Sequence, residues 1–463
     1  MRVAVQSRRL GPNFSRPGSI LLPHDRLLYQ ALADQAAPII ESKTDRKRSF
    51  SHCLAPAGAT SMFLPTRMCW NALQKALIIK SNSNTIHYVL KIDVANFFRS
   101  INQHTLINIL NDANFPKSLS SRLEAILTSY TGQRSARGIL QGAYPSDLLG
   151  NFYMAPVDIF LDDIKIESAR YVDDMYIFVE SVDAADQLLR KLIPFLRSYD
   201  LDLNEAKSAI MPKAALITEE PNLEKLFNVA VEEISAKVDD KDFDADYGFQ
   251  SEWDDDECEG DSDGHNPTKI LELKANKLLF DSIAKYPGHE ESIERFCLPF
   301  FSKAVSDYAT DQVIDSFKKR PAMSQIYAAY IANFIDKPNI QQFLLELLSD
   351  ISLLDWQKLW VLASLMQHKP SSCAPVTKAL EILKHADRHE ALRAVAAIYV
   401  GRYGDAIRRK ELVNLYQSVS HYIQAAIYFL SRDWPGAERS NAKASWGSHS
   451  ILNGLLTAAI GKK

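Results

Sequence analysis

The stretch Tyr171-Val172-Asp173-Asp174-Met175-Tyr176-Ile177-Phe178-Val179 decides how this chain is read. Two adjacent acids stand between Tyr171-Val172 and the apolar run 175–179, the layout of a β-hairpin with carboxylates at its tip. Neighbouring carboxylates repel one another and are costly to keep ionised inside a fold, so the pattern points to a bound cation. A plain exposed turn is the competing explanation, because Asp is common in turns.

A third acid lies upstream. Residues 88–93 (YVLKID) form an apolar, β-branched run that ends in Asp93 and is followed by Val94-Ala95-Asn96-Phe97-Phe98. Phosphoryl transfer with two metal ions needs oxygen ligands that hold the ions about 4 Å apart, flanking the attacking and leaving oxygens. One carboxylate at a strand end and two at a neighbouring hairpin tip supply such a set. Asp93 alone would be an ordinary strand-end residue.

Four segments in a fixed order resemble the palm motifs of reverse transcriptases. Asp93 with Phe97-Phe98-Arg99-Ser100-Ile101 is similar to the first, and Arg137-Gly138-Ile139-Leu140-Gln141-Gly142, with Ser146 and Asn151 following, to the second. Residues 171–174 match the YxDD box, and Leu203-Asn204 with Lys207-Ser208 matches the LNxxKS of a fourth. The resemblance implies that Asp93 and Asp173 bind both of two magnesium ions, with the Val94 carbonyl as a further ligand and Asp174 completing the acidic set. It implies that Phe98 lies under the sugar, where an aromatic face clashes with a 2′-hydroxyl and favours deoxynucleotides. Phe97 is then the core aromatic. Gln141 and Gly142 line the incoming dNTP, since a small residue lets backbone come close. Ser146 is expected to open the next helix as its N-cap. Lys207 sits near the triphosphate and can protonate the leaving pyrophosphate. For the fingers, Arg16 and Arg26 are the candidates that meet the triphosphate, with Arg8, Arg9, Arg46, Lys47 and Arg48 also available.

The rest of the chain divides by composition. Residues 1–225 alternate short β-like runs with helical ones, such as 25–40 and 184–199, which predicts an α+β fingers/palm domain. Residues 226–267 read as an acidic flexible linker or insertion. Within 232–263 there are fifteen acids and two lysines, so the remainder is net positive although the whole chain carries −4. A mildly basic body suits a polyanionic partner, though an ordinary solvated surface explains it equally well. The fragment 259–264 is faintly like a calcium loop, but Ile270 stands where the bidentate Glu is needed.

From residue 268 to 463 apolar residues recur at i, i+3, i+4 and i+7, broken at Pro and Gly. The likeness of 388–406 to 421–437, each an apolar helix ending in a polar break, predicts an all-α helical-repeat domain of HEAT-like pairs, with a plain bundle as the alternative. Tyrosines of this region are expected to pack between helices.

The opening MRVAVQSRRLG lacks the apolar run of a secretory signal. No apolar stretch approaches the roughly 20 residues that span a bilayer. The five cysteines are scattered without a CxxC pair. A cytoplasmic protein with reduced thiols and no membrane partner is expected. Residues 23–55, the RYVDDMYIF box and the helical tail together resemble bacterial defence-associated reverse transcriptases, the abortive-infection branch above all. That resemblance implies antiphage DNA synthesis with little or no template, in some members primed from a protein hydroxyl, with the helical domain cupping the DNA product; a homo-oligomer is expected because helical-repeat tails often mediate assembly. Two alternatives stay open: an enzyme copying a bound noncoding RNA, and a silent nucleic-acid-binding scaffold.

Overall fold

The computed structural model describes residues 2–4, 15–59, 61–131, 136–217, 267–370, 372–447 and 451–460. Apart from Pro267, the acidic segment and its calcium-like fragment lie outside the described residues, as do Arg8 and Arg9. The described residues fall into two compact units. One runs from His24 to residue 217, and the other joins residues 267–460 to the N-terminal segment ending at Pro23.

That N-terminal segment contributes an antiparallel pair, β1 (Arg2–Ala4) and β2 (Ser15–Pro17), with Val3 opposite Arg16. Arg16 thus belongs to the unit of the C-terminal helices, although residues 1–225 read as one domain in the sequence.

The first unit is built on a four-stranded antiparallel sheet of order β4-β5-β3-β6: β3 (Tyr88–Ile92), β4 (Ser168–Tyr171), β5 (Asp174–Val179) and β6 (Ala209–Pro212). Registers Leu90↔Ile177 and Ile92↔Met175 put four apolar side chains on one face. Each is 2% exposed or less. The unit also holds the helices α1 (Pro23–Lys43), α2 (Thr66–Ser81), α3 (Phe97–Ser100), α4 (Gln103–Asp112), α5 (Lys117–Thr131), α6 (Tyr144–Tyr153), α7 (Ala155–Asp163) and α8 (Val182–Ser198), of which α2 and α8 pack on the sheet. On the opposite face Val89, Ala169, Tyr176, Phe178 and Met211 pack beneath Leu73 and Leu77 of α2. Because side chains alternate along a strand, Asp93 and Asp174 fall on this second face, beyond the part that α2 covers. Both predicted helices, 25–40 and 184–199, fall within or beside α1 and α8.

The second unit is all-helical among its described residues after 267. Its helices are α9 (Pro267–Asp281), α10 (Glu290–Lys303), α11 (Thr310–Phe317), α12 (Ser324–Ala332), α13 (Pro338–Ser349), α14 (Asp355–Leu365), α15 (Ala374–Lys384), α16 (Glu390–Tyr403), α17 (Ala406–Leu415), α18 (His421–Leu430), α19 (Gly436–Trp446) and α20 (Ile451–Ile460). Every second helix packs on the next but one: α10 on α12, α12 on α14, α14 on α16, α16 on α18 and α18 on α20. The intervening helices form the other layer. That is the stacking of a helical-repeat solenoid, in which each pair buries its apolar face only against neighbours. The two segments whose likeness suggested a repeat are α16 and α18, adjacent members of one layer. Tyr327, Tyr330 and Tyr399 are fully buried between helices, as their apolar context predicts. Among the described residues no helix is long and apolar enough to cross a membrane.

Candidate active site

The sheet register brings the distant acid to the hairpin. Ile92 lies opposite Met175 and Tyr171 opposite Asp174, so Asp93 follows directly onto the position across from Asp174. The two carboxyl groups are close enough for the charge of one to act on the other. Burial, and next the Asp93 charge, raise the Asp174 carboxyl above the usual carboxylate range, while Lys207 and Lys91 pull it down. Carboxyl groups set side by side in this way are the oxygen donors that a divalent cation takes up.

Asp93 is 9% exposed and is gripped from the loop after α8. Asn204 Nδ2 donates to Asp93 Oδ2 at 2.7 Å, and Lys207 Nζ reaches Asp93 Oδ1 at 3.3 Å. The Asn204 N–H also bonds the Asp93 carbonyl at 2.8 Å, and the Asp93 N–H donates to Ser208 Oγ at 3.3 Å. A bridge between Val94 and Leu203 continues the pairing. The LNxxKS segment therefore acts on the first acid directly. Lys207, whose side chain is 59% exposed, is an ion-pair partner of Asp93.

Asp173 occupies the second position of a two-residue turn whose first position, Val172, has φ +57°. A β-branched residue in the left-handed region is strained by about 1–3 kcal/mol. Among the described residues no three His, Cys, Asp or Glu side chains are grouped closely enough to hold a metal ion. The register sets Asp93 beside Asp174, and Asp173 stands in the turn that joins β4 to β5.

The second motif forms the loop into α6. Gly138 and Gly142 have φ +90° and +93°, which only glycine adopts without strain. A Cβ on Gly142 would meet nothing within 4 Å, so backbone conformation is what requires glycine there. Phe97 is buried at 4% exposure, and Phe98 is half-buried against it with ring centroids 5.4 Å apart. Gly150 of α6 leaves room for both rings, since its Cβ would stand 3.1 Å from Phe98 Cε1. Ser146 is not an N-cap. Ala143 holds that position, and Ser146, inside the first turn and fully buried, donates to the Leu140 carbonyl at 2.6 Å and contacts Tyr29 Oη at 2.8 Å. The offset arises because Tyr144-Pro145 already have helical geometry, as Pro favours at a first turn.

Of the basic candidates, Arg26 is exposed on α1. Arg46 is committed to Glu41 and the carbonyls of Ser51 and His52, and Arg48, 5% exposed, to Asp162, Ser168 Oγ and the Ile166 carbonyl. Sequence reasoning missed a buried set behind the hairpin: Arg170, Asp158, Ser49 and Ser51, joined to Asn151. The only signal for it was a lone Arg immediately before the YxDD box.

Residues 16–235 match the profile of the family described as "Reverse transcriptase (RNA-dependent DNA polymerase)". The chain carries a reverse-transcriptase domain, the fold of an RNA-directed DNA polymerase, followed by an all-α region. No curated protein matches it. Similar solved structures include apo telomerase from Candida tropicalis, with 10% identity and a TM-score of 0.33 over 74% of this chain and 59% of that one. Telomerase from Candida tropicalis in complex with a TWJ fragment of telomeric RNA shows 12% identity and a TM-score of 0.33, over 80% and 56%. The corresponding complex from Candida albicans shows 12% and 0.29, over 74% and 58%. The chain spans less than two thirds of each of these proteins.

Proposed function

We propose that this protein is a magnesium-dependent DNA polymerase of the reverse-transcriptase kind acting in antiphage defence, which extends DNA without a conventional template and uses a protein hydroxyl as primer. The observation that carries the polymerase reading is the strand register that sets Asp93 beside Asp174, inside the matched domain. Asp93, Asp174, Asp173 and the Val94 carbonyl would hold two magnesium ions, which would activate the attacking hydroxyl and neutralise charge on the pyrophosphate.

The remaining roles belong to the chain's own groups. Asn204 and Lys207 fix the two oxygens of Asp93, so that it presents itself in one orientation. Lys207, exposed beside Asp93, gives a proton to the pyrophosphate oxygen as it leaves. Phe98 sets the sugar preference, and Gln141 and Gly142 line the dNTP. Arg26 and Arg16 are the candidates for the triphosphate. The defence role and the untemplated mode are supported by the likeness of residues 23–55, the RYVDDMYIF box and the helical tail to abortive-infection enzymes, and the cytoplasmic location by five scattered cysteines without a CxxC pair. The solenoid offers surface for a homo-oligomer.

A second reading, copying of a bound noncoding RNA, is favoured by the RNA-dependent description of the matched family. One experiment separates the two. The purified protein is incubated with each labelled dNTP and magnesium without added template, and the product is digested with nuclease or protease. Label that stays protein-bound until proteolysis, in every preparation freed of RNA, supports the first reading. Loss of synthesis on RNase treatment supports the second. Asp93→Ala and Asp174→Ala abolish incorporation in both, and full activity in either variant would refute the site.

A further inference from the structure

We propose that Arg170, Asn151 and Ser51 are positioning residues that hold Val172 in its left-handed conformation and thereby set Asp173 and Asp174 against Asp93. The inference rests on the polymerase reading of those acids.

Both polar groups of the strained residue end on buried side chains. The Val172 N–H donates to Ser51 Oγ at 2.9 Å, and the Val172 carbonyl accepts from Arg170 Nη1 at 3.0 Å. These partners are in turn locked. Ser51 Oγ spends its hydrogen on Asn151 Oδ1 at 3.0 Å, which leaves its lone pair for Val172. Asn151 Oδ1 also accepts from Arg170 Nη1 at 2.6 Å and from Ser49 Oγ at 3.0 Å, so the amide has one possible orientation. Asn151 Nδ2 returns to the Ser51 carbonyl at 3.2 Å. Arg170 is forked onto Asp158 by Nε and Nη2 at 2.7 to 3.0 Å, which neutralises its charge, and Nη2 also reaches the Asn151 carbonyl at 3.1 Å. Arg170, Asn151, Ser49 and Ser51 are 1% exposed or less, and Asp158 is 4%.

Backbone pairing keeps the Ser51 segment in place. Arg170 N–H donates to the Arg48 carbonyl at 2.7 Å, and Phe50 N–H to the Arg170 carbonyl at 3.1 Å. The cluster draws on three separate parts of the chain, residues 49–51, α6 with α7, and β4. Its two outward bonds converge on the one residue that lies between Arg170 and the acids and has an unfavourable φ. A polar cluster that only filled the core would have no need to bind both backbone polar groups of that residue. A buried network with every member satisfied is rigid, and rigidity is what a strained turn needs in order to persist.

The test compares the full-length wild type with Ser51→Ala, Arg170→Lys, and the double variant Ser51→Ala/Val172→Gly. Glycine adopts a positive φ without help, so the double variant removes the need for the lost bond. In Ser51→Ala and Arg170→Lys, kcat for nucleotide incorporation falls by about tenfold or more with KM for dNTP nearly constant, the size usual for partners that orient ligands. The Val172 amide loses protection in hydrogen exchange in both. Val172→Gly restores the kcat of Ser51→Ala to within about threefold of wild type. A Ser51→Ala enzyme with wild-type kcat, or a folded double variant no better than Ser51→Ala, overturns the proposal. If the wild type incorporates nothing, the polymerase reading fails by itself, and Mn2+ binding followed by electron paramagnetic resonance decides. Weakening in Ser51→Ala that Val172→Gly reverses supports the positioning role, and equal affinities in all four proteins refute it.

Discussion

Phe98 and Asp147 show how much one side chain can be asked to carry. Phe98 is half-buried, with its ring braced by Phe97 and its rotamer confined by Gly150, so its face is a fixed wall. Phe98→Ala should raise ribonucleotide incorporation relative to deoxyribonucleotide by at least about tenfold, read as the ratio of kcat/KM values. An unchanged ratio would take Phe98 out of the sugar site. Asp147 is a different case. Burial pushes its carboxyl up to about 6, so the folded chain holds the proton more tightly than the unfolded chain does. The stability from this group is complete below its ordinary value near 3.8 and is lost as pH rises through about 6. Asp147→Asn mimics the protonated form. It should melt higher than wild type by roughly a few °C at pH 8, with the gain gone below about pH 4. The carboxylates, Asn204 and Lys207 were legible in the sequence because they sit in short motifs. Ser51 meets Asn151 across 100 residues and Val172 across 121, which no local pattern encodes.

At the scale of elements, the helical repeat depends on close approach between alternate helices. Gly401 of α16 faces Leu430 of α18, and a Cβ there would collide with the Leu430 side chain and press on Leu412. Its carbonyl also accepts from Trp434 Nε1 at 3.1 Å. Leu430 is 4% exposed and has little room to turn aside. Gly401→Ala should destabilise the helical unit by about 1–3 kcal/mol, the usual effect of overpacking, seen as a lower melting transition of the full chain. A melting curve identical to wild type would mean that the two helices can separate freely. The helices themselves were readable from their 3.6-residue period. Their alternation between two layers was not, because the repeat is degenerate and only α16 and α18 resemble each other visibly. The Ser146 assignment went astray for a related reason. A Ser near a helix start suggests a cap, but Tyr144-Pro145 had already begun the helix, and the hydroxyl turned back to the Leu140 carbonyl.

For the molecule as a whole, sequence alone determined the ingredients. Strand and helix periods, the order of four motifs and the three acids follow from residue types at fixed short spacings, and these survive any rearrangement of the rest of the chain. Tertiary structure decided which ingredients meet. Antiparallel pairing of β3 with β5 brings Asp93 beside Asp174, because a two-residue turn leaves Asp174 as the first paired residue and side chains alternate between the faces of a sheet. It also decided that Lys207 bonds an acid and that Arg46 and Arg48 serve the interior. It further assigned Arg16 to the unit of the C-terminal helices. Contacts of this kind depend on register and burial summed over the whole fold, and a linear string of residues holds that sum only implicitly.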